Sequence, residues 1–157
     1  MPKKVIRVMI VDDHDATVYL IKMAFGEQTV RVDWDLSFAR DGEEALDYLF
    51  RRGVHHNASR PDIVLLDWNL PKVSGHEVLQ VLKSSEELRT LPVLIFSSSQ
   101  QDDVVQAAYR GHANGYICKP SDLESFNTVI ESIETFWVHT ARLPTNSLTR
   151  ANAWKSV

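Results

Sequence analysis

The chain has a single cysteine, Cys118, in 157 residues. That excludes an intramolecular disulfide and any CxxC metal or redox motif, and it points to a reducing, cytoplasmic setting. Apolar runs stay far short of the ~20 residues of a membrane span. Met1 to Arg7 has basic charge but neither the apolar stretch nor the cleavage site of a signal peptide. Basic residues are not in excess: the net charge is −4, and no basic stripe or basic helix is present. Neither a nucleic-acid surface nor a DNA-binding output module is therefore expected. No glycine-rich fingerprint follows the first apolar run, which disfavours a dinucleotide or flavin site. Internal repeats and low-complexity tracts are lacking. His55 and His56 are adjacent, a spacing poorly suited to one ion, and are expected in a solvated loop. Cys118 is expected to be buried and inert.

What is present is an ordinary globular composition, 44% hydrophobic and 24% charged, of a length that suits one domain. Short apolar runs alternate with longer helix-like segments. Strands are predicted over residues 5–11, 34–39 (nearer a sheet edge), 63–66, 93–96 and 116–118. The 63–66 run is continuously apolar and is expected to be covered on both faces. Helices are predicted over 16–25, capped by Asp15 and stopped by Gly26, and from Asp41 to Arg51. A third follows the Pro71 and Gly75 turn to about Ser84. The fourth runs from Asp102-Asp103 to a left-handed stop at Gly111. The last starts near Asp122 and repeats Leu123, Phe126, Val129, Ile130, Ile133, Phe136 and Trp137 at helical spacing. Five strands alternating with five helices predict an α/β fold, a doubly wound parallel sheet. Residues 1–143 form the expected domain and 144–157 a polar tail containing Trp154.

In such sheets function gathers at the carboxyl ends of the strands. Four of the predicted strands end there in polar residues: Asp12-Asp13, Asp67, Ser97 and Lys119. Alone, Asp12-Asp13 reads as a helix-capping pair. Asp67 ends a continuous apolar strand, a poor place for a merely structural carboxylate. Converging acids repel one another, and a hard divalent cation such as Mg²⁺ relieves that repulsion. With Lys119 at the same rim, the site becomes a receptor for a phosphoryl group, and an attacking carboxylate would form an aspartyl phosphate.

"MIVDDHD", "VLLDWNLPKVSG", "VLIFSSS" and "GHANGYICKP", in that order on those strand ends, resemble the receiver domain of two-component response regulators. The resemblance implies the flavodoxin-like strand order 2-1-3-4-5. It implies that Asp67 is the phosphate acceptor and that Asp12, Asp13 and Asp67 are the metal-binding acids, with Asn69 lending a backbone carbonyl. Ser97 stands at the position that hydrogen-bonds the phosphoryl oxygen, Tyr116 at the aromatic switch, and Lys119 at the phosphate partner. Asn69 and Ser99 occupy the positions that tune phosphate lifetime. A cis Lys119-Pro120 bond is also implied. Ser121 departs from the phenylalanine that often follows this Lys-Pro pair.

The resemblance implies a stand-alone regulator, not a turnover enzyme, phosphorylated by a histidine kinase and signalling through its fourth and fifth helices. The "RRGVHHNASRPD" loop and the "FWVHTARLP" ending resemble regulators that pair with phytochrome kinases. A phosphorelay intermediate and a phosphate-independent binding module are the alternatives. A phosphatase is disfavoured because Asn69 stands where a second acid would act. The stripe Phe126, Ile130, Ile133 and Trp137 looks wide for one domain and predicts a homodimer surface. Trp68 is expected beside the site, partly exposed.

Overall fold

Parallel pairing organises the chain. The computed structural model describes residues 2–144; of the expected tail only Pro144 is included, and Trp154 lies outside the described residues. Strands β1 (Lys4–Val11), β2 (Val32–Ala39), β3 (Ile63–Leu66), β4 (Val93–Ser97) and β5 (Gly115–Cys118) alternate with helices α1 (Asp15–Glu27), α2 (Gly42–Leu49), α3 (Gly75–Ser84), α4 (Asp102–Arg110) and α5 (Leu123–Ile133). The five strands form one sheet in the order β2-β1-β3-β4-β5, all neighbours parallel. This is the predicted flavodoxin-like order, with β2 on an edge.

The strand period of two sorts the core onto two faces. Ile6, Val8 and Ile10 of β1 join Ile63 and Leu65 of β3 and Leu94 and Phe96 of β4 on one face, beneath Ile21 and Phe25 of α1 and Phe126 and Ile130 of α5. Met9, Val11, Val64, Leu66, Val93 and Ile95 face the other way, against Ala45 and Leu49 of α2, Val78, Leu79 and Leu82 of α3, and Ala108 of α4. Every residue of β3 is buried, as expected for a central parallel strand. None of the described helices is long and apolar enough to cross a membrane.

Several local expectations are corrected. Helix α1 begins at Asp15 itself, with His14 at the N-cap and no side-chain cap. The Asp15 carboxylate is instead paired with Arg40 at 2.7 Å. Gly26 does not stop α1: the helix runs on to Glu27, and the Gln28 amide closes it onto Phe25 O. Gly111 is not left-handed, with φ −78°; His112 takes the positive φ of 71°. Gly111 serves close packing instead, since a Cβ there would lie 2.9 Å from Leu79 Cδ2. Asp41 caps α2 as predicted, accepting from Glu44 N.

The last-helix stripe is also not a free surface. Phe126, Ile130 and Ile133 are core, and Trp137 packs partly buried against them. The stripe is wide because the helix continues as a π-helical segment, Glu134–Thr140, that turns Val138 inward as well. Phe126, Ile130 and Ile133 face their own sheet and are not available for the predicted dimer contact; Trp137 stays partly exposed, and Phe136, 52% exposed, is the large apolar side chain turned outward here. Cys118 is exposed, not buried: β5 is an edge strand, and its last residue lies at the rim.

At the opposite end of the sheet, Asp62 fixes the start of β3 beside β1. Its carboxylate accepts from Arg7 N at 2.9 Å, and its own amide donates to Arg7 O at 2.7 Å. Burial raises the Asp62 pKa above its ordinary value, against the opposing pull of the Arg7 amide. The native state therefore holds this proton more tightly than the unfolded chain. The contribution of Asp62 is most favourable below the unfolded value and declines as pH rises through the folded one. Asp62→Asn, which still accepts from Arg7, should flatten that part of a melting-temperature profile against pH; an unchanged slope contradicts it.

Candidate functional site

Asp12, Asp67 and Lys119 each follow directly on a strand while their amides still belong to the sheet ladder. Asp12 N donates to Ala39 O at 3.0 Å, Asp67 N to Val11 O at 3.0 Å, and Lys119 N to Ser97 O at 2.8 Å. The backbone is thus held where the side chains must converge, and they do. Lys119 Nζ lies 2.7 Å from Asp12 Oδ2 and 3.2 Å from Asp67 Oδ2, with all three side chains buried. Burial pushes the Asp67 carboxyl above its ordinary value; Lys119 pulls it down, Asp12 raises it further, and the Asn69 amide hydrogen bond opposes that rise. Buried carboxylates of this kind need a positive partner to remain charged.

Asp13 is the half-buried member of the acid pair, and Arg40, just past β2, donates from Nη2 to its carbonyl at 3.2 Å. No hydrogen bond reaches the buried Asp13 Oδ1. Ligand atoms of Asp12, Asp13, His14 and Asp67 all lie within 4.8 Å of one another. A carboxylate oxygen with no hydrogen bond within such a cluster suits a divalent cation, and these acids are the residues that would hold it.

On the other flank Ser97 is fully buried, and its Oγ accepts from Ser99 N at 3.3 Å. The Ser99 carbonyl in turn accepts from Tyr116 Oη at 2.7 Å and lies 3.7 Å from Cys118 Sγ. Asn69 is exposed at the rim. Trp68 is half-buried and stacks on His76, ring centroids 4.9 Å apart. The Lys119-Pro120 bond is trans, not the cis bond implied by resemblance: the described chain has no cis peptide, and trans is the ordinary preference of an X-Pro bond. His55 and His56 sit in and after a short 3-10 turn, Gly53–His55, remote in sequence from these strand ends.

Two contributors are not legible from residue type alone. His14 places Nδ1 3.3 Å from Asp12 Oδ1 and 3.3 Å from Asp13 Oδ1; its only sequence signal is its place just after the acid pair. The second is the missing side chain of Gly75. A Cβ there would lie 2.0 Å from Asp67 O and 2.7 Å from Trp68 Cα, so glycine alone lets α3 start against the Asp67 backbone. Gly75 N donates to Trp68 O, closing the turn. Ser74 and Glu77 form a capping box at the same helix start. Gly75→Ala should cost about 1–3 kcal/mol in urea unfolding, as overpacking does, and should slow acetyl-phosphate labelling by displacing Asp67. Wild-type stability and labelling in that variant would contradict this account.

The comparisons agree with the geometry. The response regulator receiver domain model matches residues 8–131. The chain is 40% identical over 141 residues to the probable methanogenesis regulatory protein FilR2 of Methanothrix harundinacea, covering 87% of this chain and 86% of that one. It is 36% identical over 143 residues to the response regulator Rcp1 of a Synechocystis species, covering 91% and 95%. The phosphorylated cyanobacterial phytochrome response regulator RcpA superposes with a TM-score of 0.83 at 40% identity, over 92% of this chain and 100% of that one. Sequence, strand order and the clustered strand-end acids agree that the chain belongs to the response regulator receiver domain family.

Proposed function

We propose that residues 1–143 form a phosphorylation-controlled signalling switch in which Asp67 accepts a phosphoryl group from a phosphohistidine of a histidine kinase. The observation that carries this reading is the buried contact of Asp67 with Lys119 beside the Asp12, Asp13 and His14 cluster. An Asp67 carboxylate oxygen attacks phosphorus, the new P–O bond forms as the P–N bond breaks, and the electron pair leaves with the imidazole. Lys119 pairs with the phosphoryl oxygens as charge builds on them. Asp12, Asp13 and Asp67, with the Asn69 carbonyl, would hold Mg²⁺, which would supply charge neutralisation at the transferring group. Ser99 and Asn69 border the acceptor and set how readily water reaches the phosphoryl group.

Signalling follows the hydrogen bonds on the far flank. Ser97 turns toward the phosphoryl oxygen and away from Ser99, and the Ser99 carbonyl and Tyr116 hydroxyl move with it. Tyr116 lines a groove of about 390 Å³ with Tyr109 of α4, Ile117 of β5, and Val129, Phe136 and Trp137 beyond. A local charge change thereby alters a surface that a downstream protein can read. The likeness to Rcp1 and RcpA, the latter described as a phytochrome response regulator, supports a phytochrome-type kinase as the phosphoryl donor.

Beryllofluoride with Mg²⁺ should change tryptophan fluorescence in wild type, with Trp68→Phe losing the signal. Asp67→Asn should show no response to beryllofluoride and no labelling by acetyl phosphate. A wild-type response retained in Asp67→Asn would reject the reading. Tyr116→Phe should keep labelling and lose the phosphorylation-dependent change in hydrogen exchange around Tyr109 and Val129.

A further inference from the structure

His14 is the residue of the acidic cluster that the phosphoryl-transfer reading leaves without a task. Its ring stands where positive charge is wanted. Nδ1 is 3.3 Å from Asp12 Oδ1, 3.3 Å from Asp13 Oδ1 and 3.8 Å from Asp67 Oδ2. Lys119 approaches Asp12 through the other carboxylate oxygen, Oδ2, at 2.7 Å. The two groups therefore divide Asp12 between them: Lys119 takes Oδ2, and His14 takes Oδ1 on the flank shared with Asp13. Asp13 Oδ1, which makes no hydrogen bond, lies on the His14 flank. The His14 backbone is fixed there, because its amide donates to Asp12 Oδ1 at 2.9 Å and its carbonyl accepts from Val18 N in the first turn of α1. Its side chain is 63% exposed. Core packing thus does not account for the ring, and it is free to adjust to an ion.

We propose that His14 is a protein ligand of the divalent-cation site, through Nδ1 of the neutral imidazole, and that it shifts the site's preference from Mg²⁺ toward Ni²⁺, Co²⁺ and Zn²⁺. The proposal rests on the reading of Asp12, Asp13 and Asp67 as the cation site. Its chemistry is general. Mg²⁺ favours oxygen ligands and keeps several of its waters, so an offered imidazole adds little to its binding. Affinity of a mixed nitrogen and oxygen site rises along the first-row series toward the later ions, for which imidazole is a suitable ligand. A site of carboxylates alone lacks that added slope.

The test uses the full, untagged chain and His14→Asn, which keeps a polar side chain at the α1 N-cap. Calorimetric titration with MgCl₂ and NiCl₂ measures selectivity; pulsed electron paramagnetic resonance of bound Mn²⁺ detects a coordinated nitrogen. The expected result is a loss of Ni²⁺ affinity of about tenfold or more in His14→Asn, with Mg²⁺ affinity little changed. A ¹⁴N coupling to Mn²⁺ should be present in wild type and absent in the variant. Unchanged Ni²⁺ affinity, or absence of nitrogen coupling in wild type, overturns the proposal. Equal tightening of Mg²⁺ and Ni²⁺ also overturns it, because the ring would then be a counter-ion occupying the cation's place. A wild-type chain that binds no Mg²⁺, and an Asp13→Asn variant with unaltered metal binding, would overturn the cation-site reading itself.

Discussion

Everything at the carboxyl edge depends on Lys119 standing between two buried carboxylates. Asp12 and Asp67 lie close together out of water, a placement that strongly disfavours their charged forms unless a cation is fixed beside them. The Lys119 ammonium supplies that charge from the end of an edge strand, across β4 from Asp67 and beyond β3 from Asp12. The contact exists because the backbone ladder runs one residue past the strands. The sheet's amides still hold Asp12, Asp67 and Lys119 where their side chains leave it. The apolar strands β1, β3 and β4 beneath, packed on both faces, support that edge.

The two faces of the sheet carry different duties. One face, with α1 and α5, holds the larger aromatic residues, Phe25, Phe96 and Phe126, and continues into the π-helical segment. The other, with α2, α3 and α4, is built of smaller aliphatic residues and adjoins the turn that carries Trp68 and Leu70. Lys83, near the end of α3, ties this second face together. Its Nζ donates to Arg89 O, Leu91 O and Asn114 Oδ1, joining the loop before β4 to the loop before β5. Asn114 Oδ1 also accepts from Val93 N, at the first residue of β4. Polar groups that would otherwise lie unpaired between strands are satisfied by two side chains.

Much of this was legible in the sequence where chemistry and periodicity agree. The strand ends at Asp12, Asp67 and Lys119 announce themselves because an acid or a lysine breaks an apolar run. The alternation of strands and helices predicts a parallel sheet with helices on both faces, and the family resemblance supplies its order. What was not legible depends on three-dimensional neighbours. Nothing in the residue type of Gly75 or Gly111 says that each sits against another backbone or side chain. Helical spacing shows that Phe126, Ile130, Ile133 and Trp137 share a face, but not that the sheet beneath is long enough to cover it. Cys118 reads as core by its type, yet its place at the last position of an edge strand leaves it exposed. Asp15 looks like a cap until Arg40 is seen to hold its carboxylate.

The close approach at Gly75 has a mate at Gly42, where a Cβ would lie 1.9 Å from Val73 O. Two helix starts, α2 and α3, are thus wedged against one turn, residues 67–75, with no room for a methyl group at either contact. Lys72 within that turn holds a positive φ of 64° and reaches back toward Asp41 at 3.7 Å. The turn therefore behaves as the anvil of the domain. On the opposite flank, among the described residues, no such wedge braces the site: there Ser97, Ser99 and Tyr116 are linked through side-chain hydrogen bonds, Ser99 N to Ser97 Oγ and Tyr116 Oη to Ser99 O.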